Sequence, residues 1–327
     1  MARVFINGLG RIGRTVLRAW AQGNAPGVEV VGVNDLADPD TCAYLFEYDS
    51  IFGPYPGVVA LNDGCLTIDG NDIPLFTTPD ISALDLSGVD VVMECTGKAD
   101  DRAIAERGLR AGAASVLISG PSEAADVTLV LGANEGQLAE YQIVSNASCT
   151  TNALAPLVRL IDDIWGLETG WMTTIHCYTS SQPTIDQPRA NLARSRAAGL
   201  SMVPTTTSAH RLLDQVLPQT AGRVEGAAVR VPVASVSAVD LTVTLSQSVG
   251  VDDVKQVLAA QSGIIGSTDK ELVSSDLRGR SESLVVALPE TRVTQGGLVR
   301  VFGWYDNEWG FSNRMLEMAG LMAARSY

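Results

Sequence analysis

The chain has 327 residues, which at roughly 100–200 residues per domain points to about two domains. Hydrophobic residues make up 46% and charged residues 18%, enough apolar matter for large cores, so general disorder is excluded. The formal charge of −14, with Lys98, Lys255 and Lys270 the only lysines, excludes a cationic grip on nucleic acid or on an acidic lipid surface.

The opening run Met1–Gly8 enters an apolar strand pattern at once, and no stretch of about 18 apolar residues follows anywhere. Neither a secretory signal nor a membrane span is expected. The cysteines are Cys42, Cys65, Cys95, Cys149 and Cys177: an odd number, with no C-x-x-C pair. They predict no disulfide framework and no structural zinc, and a reducing cytoplasm fits them best.

In chain order, Val4–Asn7 reads as a strand and 11–22 as a helix with Ile12, Val16 and Ala19 on one face. Val28–Val33 is a second strand. Between Val58 and Phe76, Asp63-Gly64 and Asp69-Gly70 mark hairpin turns. Val91–Glu94 and Ser115–Ile118 are strands flanking a helical stretch 101–111; Val127–Leu131 and Ile143–Val144 are strands that follow. Strands alternating with helices imply βαβ units and a parallel sheet.

After residue 149 the pattern changes to a helix, 150–164, followed by long strands at 170–178, 226–233, 237–245 and 298–305. These predict a mostly antiparallel sheet. A polar, Pro-containing loop runs from Thr179 to Leu200, and loops of that length are usually functional or interfacial. The chain closes on an apolar helix, 312–324, expected to return to the first domain. The expected fold class is therefore α/β: a Rossmann-type dinucleotide-binding domain (1–148 and 308–327) and an α+β catalytic domain (149–307).

Gly8-Leu9-Gly10-Arg11-Ile12-Gly13 is a G-x-G-x-x-G between a predicted strand and a predicted helix. Gly8 permits the tight turn, Gly10 lets a pyrophosphate approach the backbone, and Gly13 allows close helix–strand packing. The helix N-terminus offers N–H groups to the anion. Asp35 ends the second strand at the spacing of the acid that binds the adenosine ribose. No Arg or Lys lies in Leu36-Ala37-Asp38, so NAD is expected over NADP.

Cys149 opens the helix after Ser145-Asn146-Ala147-Ser148, where N–H groups and the helix dipole favour thiolate. Only His176 and His210 exist, so an imidazole base is nearly a forced choice. His176 lies near a strand end, where catalytic groups collect. His210 and the other four cysteines read as packing residues. Arg230 is the lone charge in an apolar strand and needs an anionic partner, either Asp240 on the next strand or a ligand phosphate.

Together these residues resemble the phosphorylating glyceraldehyde-3-phosphate dehydrogenase family. The likeness rests on residues 7–14, Asn34-Asp35, Ser148-Cys149-Thr150-Thr151-Asn152, Ala197-Ala198, Pro204–Thr207, Arg230-Val231-Pro232 and Tyr305-Asp306-Asn307-Glu308-Trp309-Gly310. The resemblance implies NAD as cofactor and a cytoplasmic homotetramer. In it, the loop from Thr179 to Leu200 lines a neighbour's NAD site. It further implies that Arg11 and Ile12 contact pyrophosphate, that Thr96 and Ser119 flank the adenosine and ribose, and that Pro188 marks NAD preference. Asn307 would hold the nicotinamide carboxamide. Thr179 and Arg230 match the substrate-phosphate site; Ser148, Thr150, Thr207 and Ser208 match the inorganic-phosphate site. The implied partners are a small phosphorylated aldehyde and inorganic phosphate. Rivals are oxidation of erythrose 4-phosphate with hydrolysis, an arsenate-linked reaction, or an NAD-binding regulatory protein. The chain departs from the family pattern at Phe52-Gly53-Pro54, Ala99, Ser180-Ser181 and Ser208.

Overall fold

The computed structural model describes residues 1–325 and divides into two compact units. The first comprises 1–129, 135–148 and 311 onward; the second comprises 130–134 and 149–310.

In the first unit, Ala2–Asn7 (β1), Arg11–Ala21 (α1), Val28–Asn34 (β2) and Pro39–Glu47 (α2) lead into Val59–Asn62 (β3), Cys65–Ile68 (β4) and Asn71–Phe76 (β5). Val91–Glu94 (β6), Arg102–Ala105 (α3), Arg107–Arg110 (α4), Ser115–Ile118 (β7), Val127–Thr128 (β8) and Ile143–Ser145 (β9) complete it. One nine-stranded sheet runs β8-β9-β7-β6-β1-β2-β5-β4-β3. From β8 to β5 the pairs are parallel, as the alternating pattern predicts. The two hairpins are antiparallel, and Asp63, Gly64, Asp69 and Gly70 all have positive φ, the geometry of mirror-image hairpin turns. The core strands β6 and β7 are buried throughout, and β1 at every residue but Arg3, because helices cover both faces of a parallel sheet.

The predicted helix 101–111 is two short helices. Glu106 ends the first and caps the second, and Gly108 lies so close to the sheet that a Cβ would meet Val92 and Val116 at 2.9–3.0 Å. The predicted strand 127–131 is shortened to β8.

In the second unit, Cys149–Trp165 (α5) is followed by Leu167–Cys177 (β10), Val203–Thr205 (β11), Ala209–Val216 (α6), Val224–Val231 (β12) and Ser237–Leu245 (β13). Val251–Ala259 (α7), Ile265–Thr268 (β14), Leu284–Ala287 (β15), Arg292–Val293 (β16) and Val299–Tyr305 (β17) lead into Trp309–Ala323 (α8). The sheet runs β11-β12-β10-β13-β17-β15-β14, with β16 added on β17. It is mostly antiparallel, but β10 pairs with β12 in parallel, and so does β14 with β15.

Two short segments group otherwise than the sequence division predicts. Residues 130–134 join the second unit because Arg159 of α5 donates to the Ala133 carbonyl at 2.8 Å and Gly132 packs against Ile264 and Pro156. Residues 308–310 join it because Asp306 caps α8, accepting from Glu308 N at 3.0 Å and Trp309 N at 2.9 Å. From Phe311 onward α8 belongs to the first unit, where Asn24 donates to Asn313 at 2.9 Å. All five cysteines are free thiols. Among the described residues no helix is long and apolar enough to cross a membrane.

Candidate active site

The first unit builds a cleft of about 240 Å³ at the C-terminal ends of its parallel strands, where doubly wound sheets bind ligands. Gly8, Gly10, Asp35 and Thr96 line it, with Asn7, Asn34 and Thr78. Gly8 has φ +98°, and a Cβ there would lie 2.9 Å from Cys95 C and Thr96 N. A Cβ on Gly13 would sit 1.9 Å from the Gly8 carbonyl oxygen, whereas Gly10 has nothing within 4 Å. Two glycines are thus required by packing, and the third leaves an open face. Gly10 begins α1 without a side-chain cap, so the helix N-terminus presents its N–H groups to that face.

Asp35 accepts from Leu9 N at 2.6 Å and from Ala37 N at 2.9 Å, tying the glycine turn to the end of β2. Below it runs a buried polar chain that sequence reasoning missed. Asn34 donates to Asn7 at 2.8 Å, Asn7 donates to the Glu94 carboxylate at 2.6 Å, and Thr78 N donates to Asn34 at 2.9 Å. Thr96 donates to Glu94 through both its N–H and its hydroxyl. The only sequence signal was the acid ending the apolar strand Val91–Glu94. Ser119 is held by its N–H on the Glu94 carbonyl at 3.0 Å but does not line the cleft. Arg11 pairs with Asp49 and lies over the Phe52 ring, 5.8 Å from its centroid. Ile12 is half-buried on α1. The loop carrying Asp49 is fixed by buried Arg18, which donates to the carbonyls of Phe46, Glu47 and Gly53 at 2.5–3.0 Å. Lys98 and Arg107, also unforeseen, line the cleft; Arg107 pairs with Asp80 at 3.4 Å.

These features fit NAD: a closed-in glycine turn, an open backbone face at a helix N-terminus, and an acid beside it.

The second unit gathers the thiol, the imidazole and the guanidinium. Cys149 is the first residue of α5, and its Sγ lies 3.7 Å from His176 Nε2. His176 is buried near the end of β10, and the parallel register sets it opposite Arg230 on β12. His176 Nδ1 lies 2.7 Å from the Cys177 carbonyl oxygen and 3.0 Å from Arg230 Nη1. A guanidinium only donates, and Arg230 Nη1 itself bonds that carbonyl at 2.9 Å. The carbonyl therefore takes both donors, Nδ1 carries the proton, and the Nε2 lone pair faces Cys149.

Burial, then the nearby Arg230 charge, pushes the His176 imidazole down to about 4. Burial also pushes the Cys149 thiol up, against the pull of Arg230 and of hydrogen bonds from Thr150 and its own backbone. Burial and the helix terminus thus act on this thiol in opposite directions. Tyr305, fully buried, bonds the hydroxyls of Thr150 and Thr174, both at 2.8 Å, and meets the His176 ring edge-on at 6.0 Å.

Arg230 has no carboxylate partner among the described residues. Asp240 instead takes Arg300 in a bidentate pair at 2.8 and 2.9 Å, because β12 and β13 flank β10 on opposite sides. Thr179 Oγ1 lies 3.5 Å from Arg230 Nη1 and 2.8 Å from Ser181 Oγ. Thr207 Oγ1 accepts from Ala209 N at 3.1 Å, Ser208 begins α6 with no side-chain cap, and Ser148 is half-buried. Pro188 is exposed in the long loop, whose Arg196 pairs with Asp186 at 2.8 Å. Asn307 is buried and touches Cys177.

A dinucleotide-type domain followed by a thiol, an imidazole and a guanidinium with no carboxylate partner among the described residues fits the class of oxidoreductases. Comparison with known proteins agrees. The family described as glyceraldehyde 3-phosphate dehydrogenase, NAD binding domain, matches residues 2–102, and its C-terminal domain matches residues 148–307. Glyceraldehyde-3-phosphate dehydrogenase of Xanthobacter flavus is 44% identical over 330 residues, covering 98% of each chain. The enzyme of that name from Cereibacter sphaeroides is 42% identical over 98% of each chain. Glyceraldehyde-3-phosphate dehydrogenase 1 of Bacillus cereus is 41% identical over 99% of each. The chain belongs to the glyceraldehyde-3-phosphate dehydrogenase family. It is an oxidoreductase whose cofactor is NAD.

Proposed function

We infer that the protein oxidises glyceraldehyde 3-phosphate in the presence of inorganic phosphate, giving 1,3-bisphosphoglycerate. The observation that carries this reading is Arg230. It is a cation without a carboxylate, beside the base that faces the cysteine sulfur.

His176 Nε2 takes the Sγ proton as Cys149 bonds the aldehyde carbon, and passes it to the aldehyde oxygen. The product is a hemithioacetal on Cys149. Nε2, neutral again, then removes the hydroxyl proton as the carbonyl re-forms, leaving a thioester. Its depressed basicity keeps the imidazole unprotonated at neutral pH, ready for each transfer. NAD, held by the glycine turn and Asp35, would supply the two-electron acceptor for the hydrogen that leaves the substrate carbon with its bonding electrons. Inorganic phosphate attacks the thioester carbon, the C–S bond breaks, and Cys149 is regenerated. The Cys149 N–H at the start of α5 stabilises negative charge on the substrate oxygen. Arg230 and Thr179 hold the substrate phosphate; Ser148, Thr150, Thr207 and Ser208 are assigned to the inorganic phosphate. On the cofactor side, the glycine turn, Arg11 and Ile12 take the pyrophosphate, and Asp35, Thr96, Ser119, Pro188 and Asn307 take the remaining groups.

Trp171, Ile185, Leu192, Leu200 and Met202 are exposed large apolar side chains of the second unit. That supports the homotetramer implied by the family, which light scattering tests. Five free thiols suit the cytoplasm. The decisive assay is NAD reduction with glyceraldehyde 3-phosphate, with and without phosphate. Equal turnover without phosphate, or faster turnover with erythrose 4-phosphate, overturns the reading.

A further inference from the structure

Cys177 follows the base in sequence and is fully buried. Its carbonyl oxygen collects the His176 and Arg230 donors. Its N–H donates to Ser237 Oγ at 3.1 Å, and its Sγ–H donates to Asn307 Oδ1, also at 3.1 Å. Burial, reinforced by the Cys149 sulfur nearby, pushes this thiol up to about 12, so it keeps its proton and remains a donor. Asn307 is itself placed by Asp306, which accepts from Gly279 N at 2.9 Å as well as from the start of α8.

A side-chain amide can sit in two orientations, and its oxygen and nitrogen do opposite work. Here the thiol claims the oxygen. Among the described residues, Asn307 Nδ2 has no partner. We propose that Cys177 is a positioning residue that locks the Asn307 amide with Nδ2 turned to the ligand. The cofactor is then recognised through its carboxamide oxygen rather than its carboxamide NH₂. The proposal rests on the assignment of Asn307 to the nicotinamide carboxamide. A packing role alone would ask only for a small side chain, with no preference between a donor and an apolar group.

The test measures Kd by calorimetry for NAD and for its 3-acetylpyridine analogue, which keeps the carbonyl oxygen but lacks the NH₂. The wild type is expected to bind the two similarly. Cys177→Ala frees the amide to turn, so NAD affinity falls about fivefold, the scale of one neutral hydrogen bond. The analogue loses more, because an amide oxygen facing the ligand repels its carbonyl yet still accepts from the NH₂ of NAD. Cys177→Ser restores both constants. If Cys177→Ala does not fold, Cys177→Val, of similar volume and without a donor, replaces it. Wild-type constants for both ligands in the variant lacking the donor, or Ser and Ala behaving alike, overturn the proposal. Asn307→Ala separates the layers. If it binds NAD as the wild type does, the carboxamide assignment falls and the proposal with it. If it binds NAD weakly while Cys177→Ala binds normally, only the locking role fails.

Discussion

His176 and Arg230 are register partners across the parallel β10–β12 pair and donate to one acceptor, the Cys177 carbonyl oxygen, at 2.7 and 2.9 Å. This shared acceptor fixes the imidazole tautomer, so that Nε2 presents its lone pair to Cys149. It also places a permanent positive charge next to the imidazole, which disfavours imidazolium, and within range of Cys149, where it favours thiolate. A single strand pairing thus adjusts both members of the proposed catalytic pair.

Arg230→Lys should stay folded, because the one carboxylate that sequence offered as its partner, Asp240, depends on Arg300 instead. Substrate discrimination should suffer. An ammonium lacks the planar fork, and the preference for glyceraldehyde 3-phosphate over glyceraldehyde should fall about 10- to 100-fold. The ratio of the two specificity constants checks this; an unchanged ratio means that the phosphate is held elsewhere.

Cys149→Ser should abolish aldehyde oxidation while NAD binding stays near wild type. The hydroxyl is a far poorer nucleophile at neutral pH, and the glycine turn belongs to the other unit. Calorimetric NAD titration alongside the turnover assay tests both halves, and surviving turnover removes Cys149 from its role.

His176→Asn should slow oxidation by roughly 10²–10⁴ and slow alkylation of Cys149. It should also change how stability depends on pH. The His176 imidazole titrates near 4 rather than its ordinary 6.5. Between those values the unfolded chain binds a proton that the folded chain refuses. Stability from this group is therefore complete above about 6.5 and lost as pH falls through that window, by roughly 3 kcal/mol. Melting temperatures at pH 4.5 and 7 should differ less in His176→Asn than in the wild type. Parallel slopes would contradict the buried neutral imidazole.

NAD should be preferred over NADP. Asp35 is anchored by Leu9 N and Ala37 N at the cleft, where its charge meets a 2′-phosphate unfavourably. The cations Lys98 and Arg107 line the same cleft, so Asp35→Asn should narrow the preference. Comparing kcat/KM for the two cofactors decides the matter, and a wild type favouring NADP refutes the role of Asp35.

Gly13→Ala and Gly10→Ala should separate stability from binding. The first drives a Cβ to within 1.9 Å of the Gly8 carbonyl oxygen and should unfold the turn or shift α1. The second meets nothing within 4 Å, so the protein should melt near the wild-type temperature yet bind NAD weakly, because the methyl group stands where pyrophosphate approaches. Normal NAD affinity in a folded Gly10→Ala variant would place the pyrophosphate off this face.

By itself the sequence determined what local rules govern. The Asp63-Gly64 and Asp69-Gly70 turns take positive φ because such residues tolerate it. The glycine spacing sets the β1–α1 turn, the alternation of short apolar runs with helices yields the parallel sheet, and the scarcity of histidine singles out His176. Tertiary structure decided everything that depends on strands distant in sequence. It paired β12 with β10 in parallel, which brings Arg230 to His176 and leaves Asp240 to Arg300. It set Asn307 against Cys177, which composition alone marks as a small packing residue, and assembled the Glu94–Asn7–Asn34–Thr78 chain from the ends of three strands and the loop after β5. It also set a second influence on Cys149: a helix terminus is visible in sequence, but the burial that pushes the thiol up is not.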